Sequence, residues 1–218
     1  MVITSYGISC FKVTSGQLVL AFDPPSRKSK TKSPYFQTDI LLISHDHENH
    51  NGREVLHAPK DGEIFIIDGP GEYEYKGVIV EGIPSFHDNQ DGKKSGLNTI
   101  YRVELEDIVL LHLGDFGEKE LRPETKEKIG NIDILFIPIG GEKVLDPETA
   151  AEIANQIEPR IIIPAHYSEL PEANKKAALK EFLEEIGARN IKPEEKLTIK
   201  KKELPQDETK IVVLEPSI

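Results

Sequence analysis

The stretch Ser44-His45-Asp46-His47-Glu48-Asn49-His50-Asn51 directly follows the apolar run Ile40-Leu41-Leu42-Ile43-Ser44. The apolar run predicts a short buried strand, so the three histidines lie on the loop at its C-terminal end, where α/β folds place their ligands. Three imidazoles on one tight loop cannot all point apart, and imidazole is the commonest metal-binding side chain. Because the chain has only seven histidines, a metal site is favoured over a polar surface loop that holds three of them by chance.

Length and composition predict one soluble domain over residues 1–218. No apolar run approaches the length of about 18 residues that a membrane span needs. The N-terminus also lacks the basic and apolar regions of a secretory signal, so we expect a cytoplasmic protein without a membrane partner. The net charge of −11 argues against a nucleic-acid surface over the whole protein, although it leaves a local basic patch open.

The single cysteine, Cys10, excludes an internal disulfide and a cysteine-rich zinc cluster. It lies in a run that is typical of a strand. We therefore interpret it as a small buried hydrophobic residue in preference to a reactive thiol.

Strand patterns dominate the first half of the chain, and helices alternate with strands from Leu121 onwards. The predicted strands cover 2–7, 8–14, 17–22, 40–44, 62–68, 71–82, 98–105, 107–113, 132–139, 160–164, 197–201 and 209–214. The predicted helices cover 123–129, 147–157 and 171–186, the second of them with Asp146 as N-cap and proline at its first position. We expect a turn at Ser15-Gly16, a hairpin-like pairing of the last two strands, and a mostly solvated face on the last helix, which could alternatively be an interface.

Groups capable of chemistry recur where other predicted strands end. Asp23 closes the third strand and is interpreted either as a turn former or as a neighbour of the histidines. His87 and His166 each follow a strand, and Asp115 lies in a glycine-flanked turn that can aim a carboxylate into a cleft. His112, inside a strand, is predicted to be a core histidine.

These strand ends supply nitrogen and carboxylate donors and no thiolate. The candidate metal ligands are His45, His47, His50, His87, Asp115 and His166. Donors of this kind on loops leave coordination positions open for water, which is typical of a catalytic metal site and not of a closed structural one.

From about Ile3 to Tyr167 the chain resembles the metallo-β-lactamase-fold metallohydrolases. The segment 45–50 matches their His-x-His-x-Asp-His signature except that Asn49 replaces the aspartate. The further runs 86–88, 96–100, 112–115, 137–141 and 163–167 resemble the branch that includes the L-ascorbate 6-phosphate lactonases and many uncharacterised hydrolases. The resemblance implies an α/β fold, a four-layer αβ/βα sandwich with the site at one edge between two facing sheets. It also implies zinc, or alternatively manganese or iron, as the metal.

The same resemblance implies a role for each candidate ligand. His45, His47 and His87 would hold a first metal, His50 and His166 a second, and Asp115 would bridge both. Asp23 would hold the other ring nitrogen of a ligating histidine.

The exchange at position 49 bears on both binding and catalysis. An amide offers a neutral oxygen where the signature has a charged one, which predicts a firmly bound first metal and a weaker, partly occupied second. Asp115 and Asn49 are the candidate catalytic residues. In relatives the missing aspartate can also orient or protonate, so the exchange puts that role of position 49 in doubt, and we expect turnover to be slow or to depend on Asp115 alone.

The predicted function is hydrolysis of a small anionic substrate, such as a phosphorylated lactone or a phosphodiester, by a metal-activated water. Two lysine-containing loops suggest phosphate contacts at Lys28, Lys30, Lys93 and Lys94. The alternatives are a ribonuclease or other nucleic-acid phosphodiesterase, a weak β-lactamase, and a catalytically weak metal-binding module. Fold alone does not choose among them, and the oligomeric state is not predicted.

Overall fold

The structure is a computed structural model and describes residues 1–141, 143–189 and 191–217. Its strands are β1 (Val2–Ser5), β2 (Phe11–Ser15), β3 (Leu18–Phe22), β4 (Ile40–Leu42), β5 (Phe65–Ile67), β6 (Gly71–Tyr75), β7 (Val78–Phe86), β8 (Leu97–Leu105), β9 (Ile108–His112), β10 (Ile134–Pro138), β11 (Ile161–Ala165), β12 (Leu197–Thr198) and β13 (Lys210–Ile211). Its α-helices are α1 (Pro123–Ile129), α2 (Pro147–Ile157) and α3 (Glu172–Glu185). Two 3-10 turns lie at Arg53–Val55 and Lys201–Glu203.

The strands form two sheets. The first has six strands in the order β12-β1-β2-β3-β4-β5, and the second has seven in the order β13-β11-β10-β9-β8-β7-β6. In the first sheet β3, β4 and β5 are parallel, and in the second β9, β10, β11 and β13 are parallel. Because β7 and β9 are both antiparallel to β8, β7 also runs in the direction of β9. The carboxyl ends of β7, β9 and β11 therefore share one edge of the second sheet.

Apolar side chains from both sheets fill the space between them. Phe11 and Phe22 of the first sheet meet Phe136 of the second, with ring centroids 4.5 and 5.8 Å from its ring. On the outer face of the second sheet, α2 and α3 bury Ile153 and Phe182. This burial of one face of each element stabilises the layers by about 25 cal/mol per Å² of apolar area removed from water.

The α/β class and the packing of two sheets predicted from the sequence are confirmed. The layer outside the first sheet is thinner than the four-layer description suggests. Among the described residues, Phe36, Val55 and Leu56 from loops and a 3-10 turn cover that face. The described helices pack on the second sheet.

The predicted pairing of 197–201 with 209–214 is wrong. β12 pairs with β1 at the edge of the first sheet, and β13 pairs with β11 at the edge of the second. Each segment forms backbone hydrogen bonds with the edge strand of a sheet, and Leu197 and Val212 are both buried in the core between the sheets. Lys201, between them, donates to the buried Asp133 at 2.9 Å.

Two turns also differ from the prediction. Segment 71–82 is not one strand but parts of β6 and β7, which join at Lys76-Gly77. Both turn residues have positive φ, 51° and 77°, as a tight hairpin turn requires. The β2–β3 turn lies at Gly16-Gln17, one residue later than expected.

The helix predictions hold more closely. α1 and α2 have the predicted bounds, and the Asp146 side chain accepts a hydrogen bond from the Thr149 N–H at 2.9 Å, which caps α2. α3 begins and ends one residue inside the predicted range. Within the described part of the chain, every helix is too short or too polar to cross a membrane.

Candidate metal centre

Side chains that follow β4, β7, β9 and β11 converge on one carboxylate oxygen. The Asp115 Oδ2 atom lies near four imidazole Nε2 atoms: 3.1 Å from His87, 3.3 Å from His166, 3.4 Å from His50 and 3.6 Å from His45. Asp115 and His50 are buried, and the other three side chains are about nine-tenths buried. The two sheets therefore deliver residues from 45 to 166 to a single point.

The ligand atoms fall into three overlapping groups, each with all its atoms within 4.8 Å of one another. The groups are His45, His87 and Asp115; His50, Asp115 and His166; and His45, His47 and His50. The first two share Asp115, so this carboxylate lies where it could serve two cations. His47 lies near His45 and His50.

The atoms that face this point fit a metal ion. The Nε2 atoms of His45, His50 and His87 and the Oδ1 atom of Asp115 are buried and have no hydrogen-bond partner among the described residues. Each such atom costs about 1–3 kcal/mol when left unsatisfied. Cations held by the first two groups would satisfy the three imidazole nitrogens, and nitrogen and carboxylate donors suit zinc, manganese or iron.

In two of the candidate ligands, His45 and His166, the Nδ1 atom contacts a side chain outside the cluster. His45 Nδ1 lies 3.0 Å from Ser44 Oγ, and His166 Nδ1 lies 2.6 Å from Glu169 Oε1. These contacts fix each ring so that Nε2 points inward. Sequence reasoning missed Ser44 and Glu169, because neither residue is unusual in its local sequence.

Asp23 is completely buried behind the histidine loop. It accepts hydrogen bonds from Ser44 N and Ser44 Oγ, both at 2.7 Å. Its Oδ2 atom lies 2.9 Å from His112 Nε2 and 3.4 Å from His50 Nδ1. Burial acts to raise the pKa of Asp23, but the contacts with His112 and His50 outweigh it and hold the pKa well below its ordinary value. Asp23 thus contacts both the loop backbone and one candidate ligand.

His112 is buried, as predicted for a core histidine, and packs against Phe22 and Phe136. Its additional contact with Asp23 was not foreseen. This contact joins β9 in the second sheet to the end of β3 in the first.

The turn that carries Asp115 depends on Asn98 and Gly114. Asn98 Oδ1 accepts from Asp115 N at 3.0 Å, while its amide nitrogen donates to Leu113 O at 2.9 Å. Gly114 has φ +58°, and a Cβ there would lie 2.5 Å from Asn98 Oδ1 and 2.6 Å from Ser44 Cβ. Only glycine fits this position without a shift of its neighbours. Asn98 is a third site-forming residue, after Ser44 and Glu169, whose role the sequence did not indicate.

The pKa values of His45 and Asp115 favour cation binding at neutral pH. Burial, together with the nearby His50, lowers the pKa of His45 to about 4, which keeps its imidazole neutral and able to ligate. Burial opposes ionisation of Asp115, but the adjacent His166 and His50 hold its pKa well below the ordinary value. A permanently ionised carboxylate is therefore surrounded by imidazole nitrogens.

The cluster opens into a cavity of about 930 Å³. Asn49 and Lys94 line it, as does Lys143, which the sequence did not single out. The predicted contacts Lys28, Lys30 and Lys93 lie outside the set of described residues that line the cavity. Lys143 follows Gly140-Gly141 after β10, and the loop after a strand was the signal that could have indicated it.

The loop over the cavity is built around Asp88. Its carboxylate accepts backbone hydrogen bonds from Gln90, Gly92, Lys94 and Ser95, at 2.6–3.0 Å. This arrangement fixes the backbone beside Lys94.

Asn49 has its amide oxygen engaged by a neighbouring loop. Asn49 Oδ1 accepts from Ser29 Oγ at 2.7 Å. The amide nitrogen is therefore the polar atom of Asn49 that remains for a ligand in the cavity.

Comparison with known proteins agrees with this structure. The family model described as a beta-lactamase superfamily domain matches residues 2–166. A UPF0173 metal-dependent hydrolase from Thermococcus onnurineus is 28% identical over 193 residues, which cover 76% of this chain and 84% of the relative. One from Pyrococcus horikoshii is 29% identical over 190 residues, which cover 74% of this chain and 81% of the relative.

Among solved structures, the chain is similar to a candidate zinc-dependent hydrolase of the metallo-beta-lactamase superfamily from Thermotoga maritima. The two are 29% identical with a TM-score of 0.76, and the match covers 98% of this chain and 97% of the other. The chain therefore belongs to the beta-lactamase superfamily domain family and has the metallo-β-lactamase fold.

Proposed function

We propose that this protein is a metallohydrolase that acts on a small anionic substrate, a phosphorylated lactone or a phosphodiester. The observation that carries the proposal is the convergence of four histidine Nε2 atoms within 3.6 Å of Asp115 Oδ2 beside an open cavity. Relatives named metal-dependent hydrolases support the reaction class. The substrate class rests on the residues around the cavity.

The residues present fit two cations, and we propose that both are zinc. His45, His87 and Asp115 would hold one, with His47 beside them, and His50, Asp115 and His166 would hold the other. When bound, such a cation lowers the pKa of a coordinated water from 15.7 towards about 7 and polarises the oxygen under attack.

Asp115 and Asn49 supply complementary hydrogen-bonding groups. Asp115 Oδ1 is buried without a partner among the described residues, so it can accept a hydrogen of the attacking water and orient it. Asn49 keeps its amide nitrogen as a donor, because Ser29 engages the amide oxygen. A donor aimed at the substrate oxygen stabilises the negative charge that develops there.

Lys94 and Lys143 favour an anionic substrate. They stand on separate loops, are exposed, and line the same cavity. Two cationic groups on its wall attract an anion and orient it over the histidines. The proposed substrate therefore carries a phosphate group, either at its scissile bond, as in a phosphodiester, or beside it, as in a phosphorylated lactone.

Charge reversal at the cavity wall tests this assignment. We expect Lys143→Glu and Lys94→Glu each to raise KM for an anionic substrate by roughly 10-fold with little change in kcat, since each reversal alters the interaction by about 1–2 kcal/mol. Lys93→Glu is the matched control, because this neighbouring lysine does not line the cavity. Equal effects at Lys93 and Lys94 in steady-state kinetics would contradict a specific contact.

A substrate screen tests the function itself. Zinc-loaded protein would be assayed with a chromogenic phosphodiester, a lactone, a β-lactam and an RNA oligonucleotide, with His47→Ala as control. Turnover of the phosphodiester or lactone that is lost in the control is the expected result. Preference for the β-lactam or the RNA would refute the proposed substrate class, and turnover no faster than the control would favour a non-catalytic metal-binding module.

A further inference from the structure

The second group of candidate ligands lacks the carboxylate that the family signature has at position 49. Asn49 provides only a neutral amide, and its oxygen already accepts from Ser29 Oγ at 2.7 Å. The group then contains His50, His166 and Asp115, the last of which it shares with the first group. A second divalent cation would therefore meet less compensating charge here than in a site with an aspartate at position 49.

A carboxylate lies directly behind one of these ligands. Glu169 Oε1 is 2.6 Å from His166 Nδ1, and their side chains are only 21% and 11% exposed. A hydrogen bond this short between a carboxylate and an imidazole is charge-assisted. His166 Nε2 points the other way, 3.3 Å from Asp115 Oδ2.

The corresponding contact in the first group is neutral. His45 Nδ1 meets the Ser44 hydroxyl at 3.0 Å. A carboxylate partner makes the opposite ring nitrogen more basic than a hydroxyl partner does, and it also fixes the tautomer that leaves Nε2 free. The negative charge is thus delivered to the second group through His166.

The backbone around His166 is held without Glu169. His166 N donates to Ile8 O at 2.8 Å, and Ile8 N donates to Ser168 Oγ at 2.8 Å. These bonds tie the loop after β11 to the loop between β1 and β2. Removal of the Glu169 charge should therefore leave the loop in place.

We propose that Glu169, acting through His166, supplies the negative charge that Asn49 does not, and is a positioning residue of the second cation site in addition to Asp23, which lies 3.4 Å from His50 Nδ1. This inference rests on the proposed function only in requiring that the cluster binds divalent cations. It explains how the second group can hold a metal in a chain whose position 49 carries no charge.

Zinc titration of Glu169→Gln tests the proposal. Calorimetry against a competing chelator should show the second zinc equivalent weakened by about 10- to 100-fold, the usual effect of losing an outer carboxylate, with the first equivalent unchanged. Glu172→Gln is the matched control: Glu172 lies three residues further on, at the start of α3, where it pairs with Lys176 on the surface. It should bind zinc as the wild type does.

Two further variants separate charge from structure. Glu169→Asp should recover part of the affinity, and Asn49→Asp combined with Glu169→Gln should restore the second equivalent by placing a carboxylate at position 49. The metal-free Glu169→Gln protein should keep the folded circular-dichroism spectrum of Glu172→Gln, although loss of the charge-assisted bond to His166 lowers its thermal midpoint.

Several results would overturn the proposal. These are wild-type affinity for both equivalents in Glu169→Gln, an equal loss of both equivalents, no rescue by the double variant, or a wild type that binds one equivalent even in excess zinc. Because the readout is zinc affinity, failure of the substrate screen would count against the proposed function alone.

Discussion

Replacement of Asp115 with asparagine is expected to lower kcat/KM by about 10³-fold, which corresponds to about 4 kcal/mol of transition-state stabilisation. The Oδ2 atom of Asp115 lies within 3.6 Å of four imidazole nitrogens. Asp115 also belongs to both candidate ligand groups that include a carboxylate. Asparagine keeps the shape but removes the charge. Both cations should therefore bind more weakly, and the oxygen that orients the attacking water should be a poorer acceptor.

Metal content and turnover measured together decide this prediction. Zinc bound after dialysis should fall in Asp115→Asn along with activity towards the substrate found in the screen. Asp107→Asn is a matched control, since Asp107 is exposed in the turn before β9, while Asp115 follows the end of that strand. Activity within about tenfold of the wild type in Asp115→Asn would mean that this carboxylate does not organise the site, because tenfold is only 1.36 kcal/mol.

The convergence of the site could be predicted because its residues follow strand ends. His45, His87, Asp115 and His166 each stand a few residues after a strand that the apolar pattern makes recognisable. Strands that run the same way in a sheet present those ends at one edge. The signature at 45–50 then predicted the family, and the match of the family model over residues 2–166 confirms it.

The surroundings of the ligands could not be predicted in the same way. Ser44, Asn98 and Glu169 act through hydrogen bonds to residues that the fold brings near, and polar residues of these types occur throughout the chain. Asn98 contacts Asp115 across 17 positions of sequence. No local pattern distinguishes such a contact from an ordinary surface residue.

The pairing partners of the short edge strands could not be predicted from the sequence either. β12 and β13 each have two residues, so their patterns are too short to specify a register. A local hairpin was the simplest expectation, but two open sheet edges offered more backbone hydrogen bonds. The lysines that line the cavity could not be predicted for a similar reason. Lys93 and Lys94 are adjacent residues of the same type, and only the conformation of the loop around Asp88 determines which of them lines the cavity.

Replacement of Asp23 with asparagine is expected to lower the free energy of unfolding of the metal-free protein by about 3 kcal/mol at pH 7, the scale for breaking a buried charged hydrogen-bond network. Asp23 is completely buried and accepts from Ser44 twice and from His112 once. An amide has one acceptor atom for these three donors and places an NH2 donor where Asp23 has its other acceptor oxygen. Zinc affinity should fall as well, since the carboxylate also lies 3.4 Å from His50 Nδ1.

Asp39→Asn separates these two effects. Asp39 is also buried and accepts hydrogen bonds from Val19 N at 3.0 Å and Lys76 Nζ at 2.7 Å. It lies before the start of β4, however, whereas the histidine loop lies after the end of that strand. We expect this variant to lose stability in urea denaturation and to keep wild-type zinc affinity. If Asp23→Asn also kept wild-type zinc affinity, Asp23 would be a structural residue only.

The pH dependence of the free energy of unfolding is an independent test of the ionised state of Asp23. Its pKa in the folded protein lies below the ordinary value of 3.8, so at moderately acidic pH the unfolded chain binds the proton more readily than the folded one. The stabilisation is therefore complete above about pH 4 and is lost as pH falls through the folded pKa. The difference in unfolding free energy between wild type and Asp23→Asn should stay constant from pH 7 to pH 5 and shrink below about pH 4. A difference that instead grew on acidification would mean that the folded protein favours the protonated carboxyl, contrary to its contacts with Ser44 and His112.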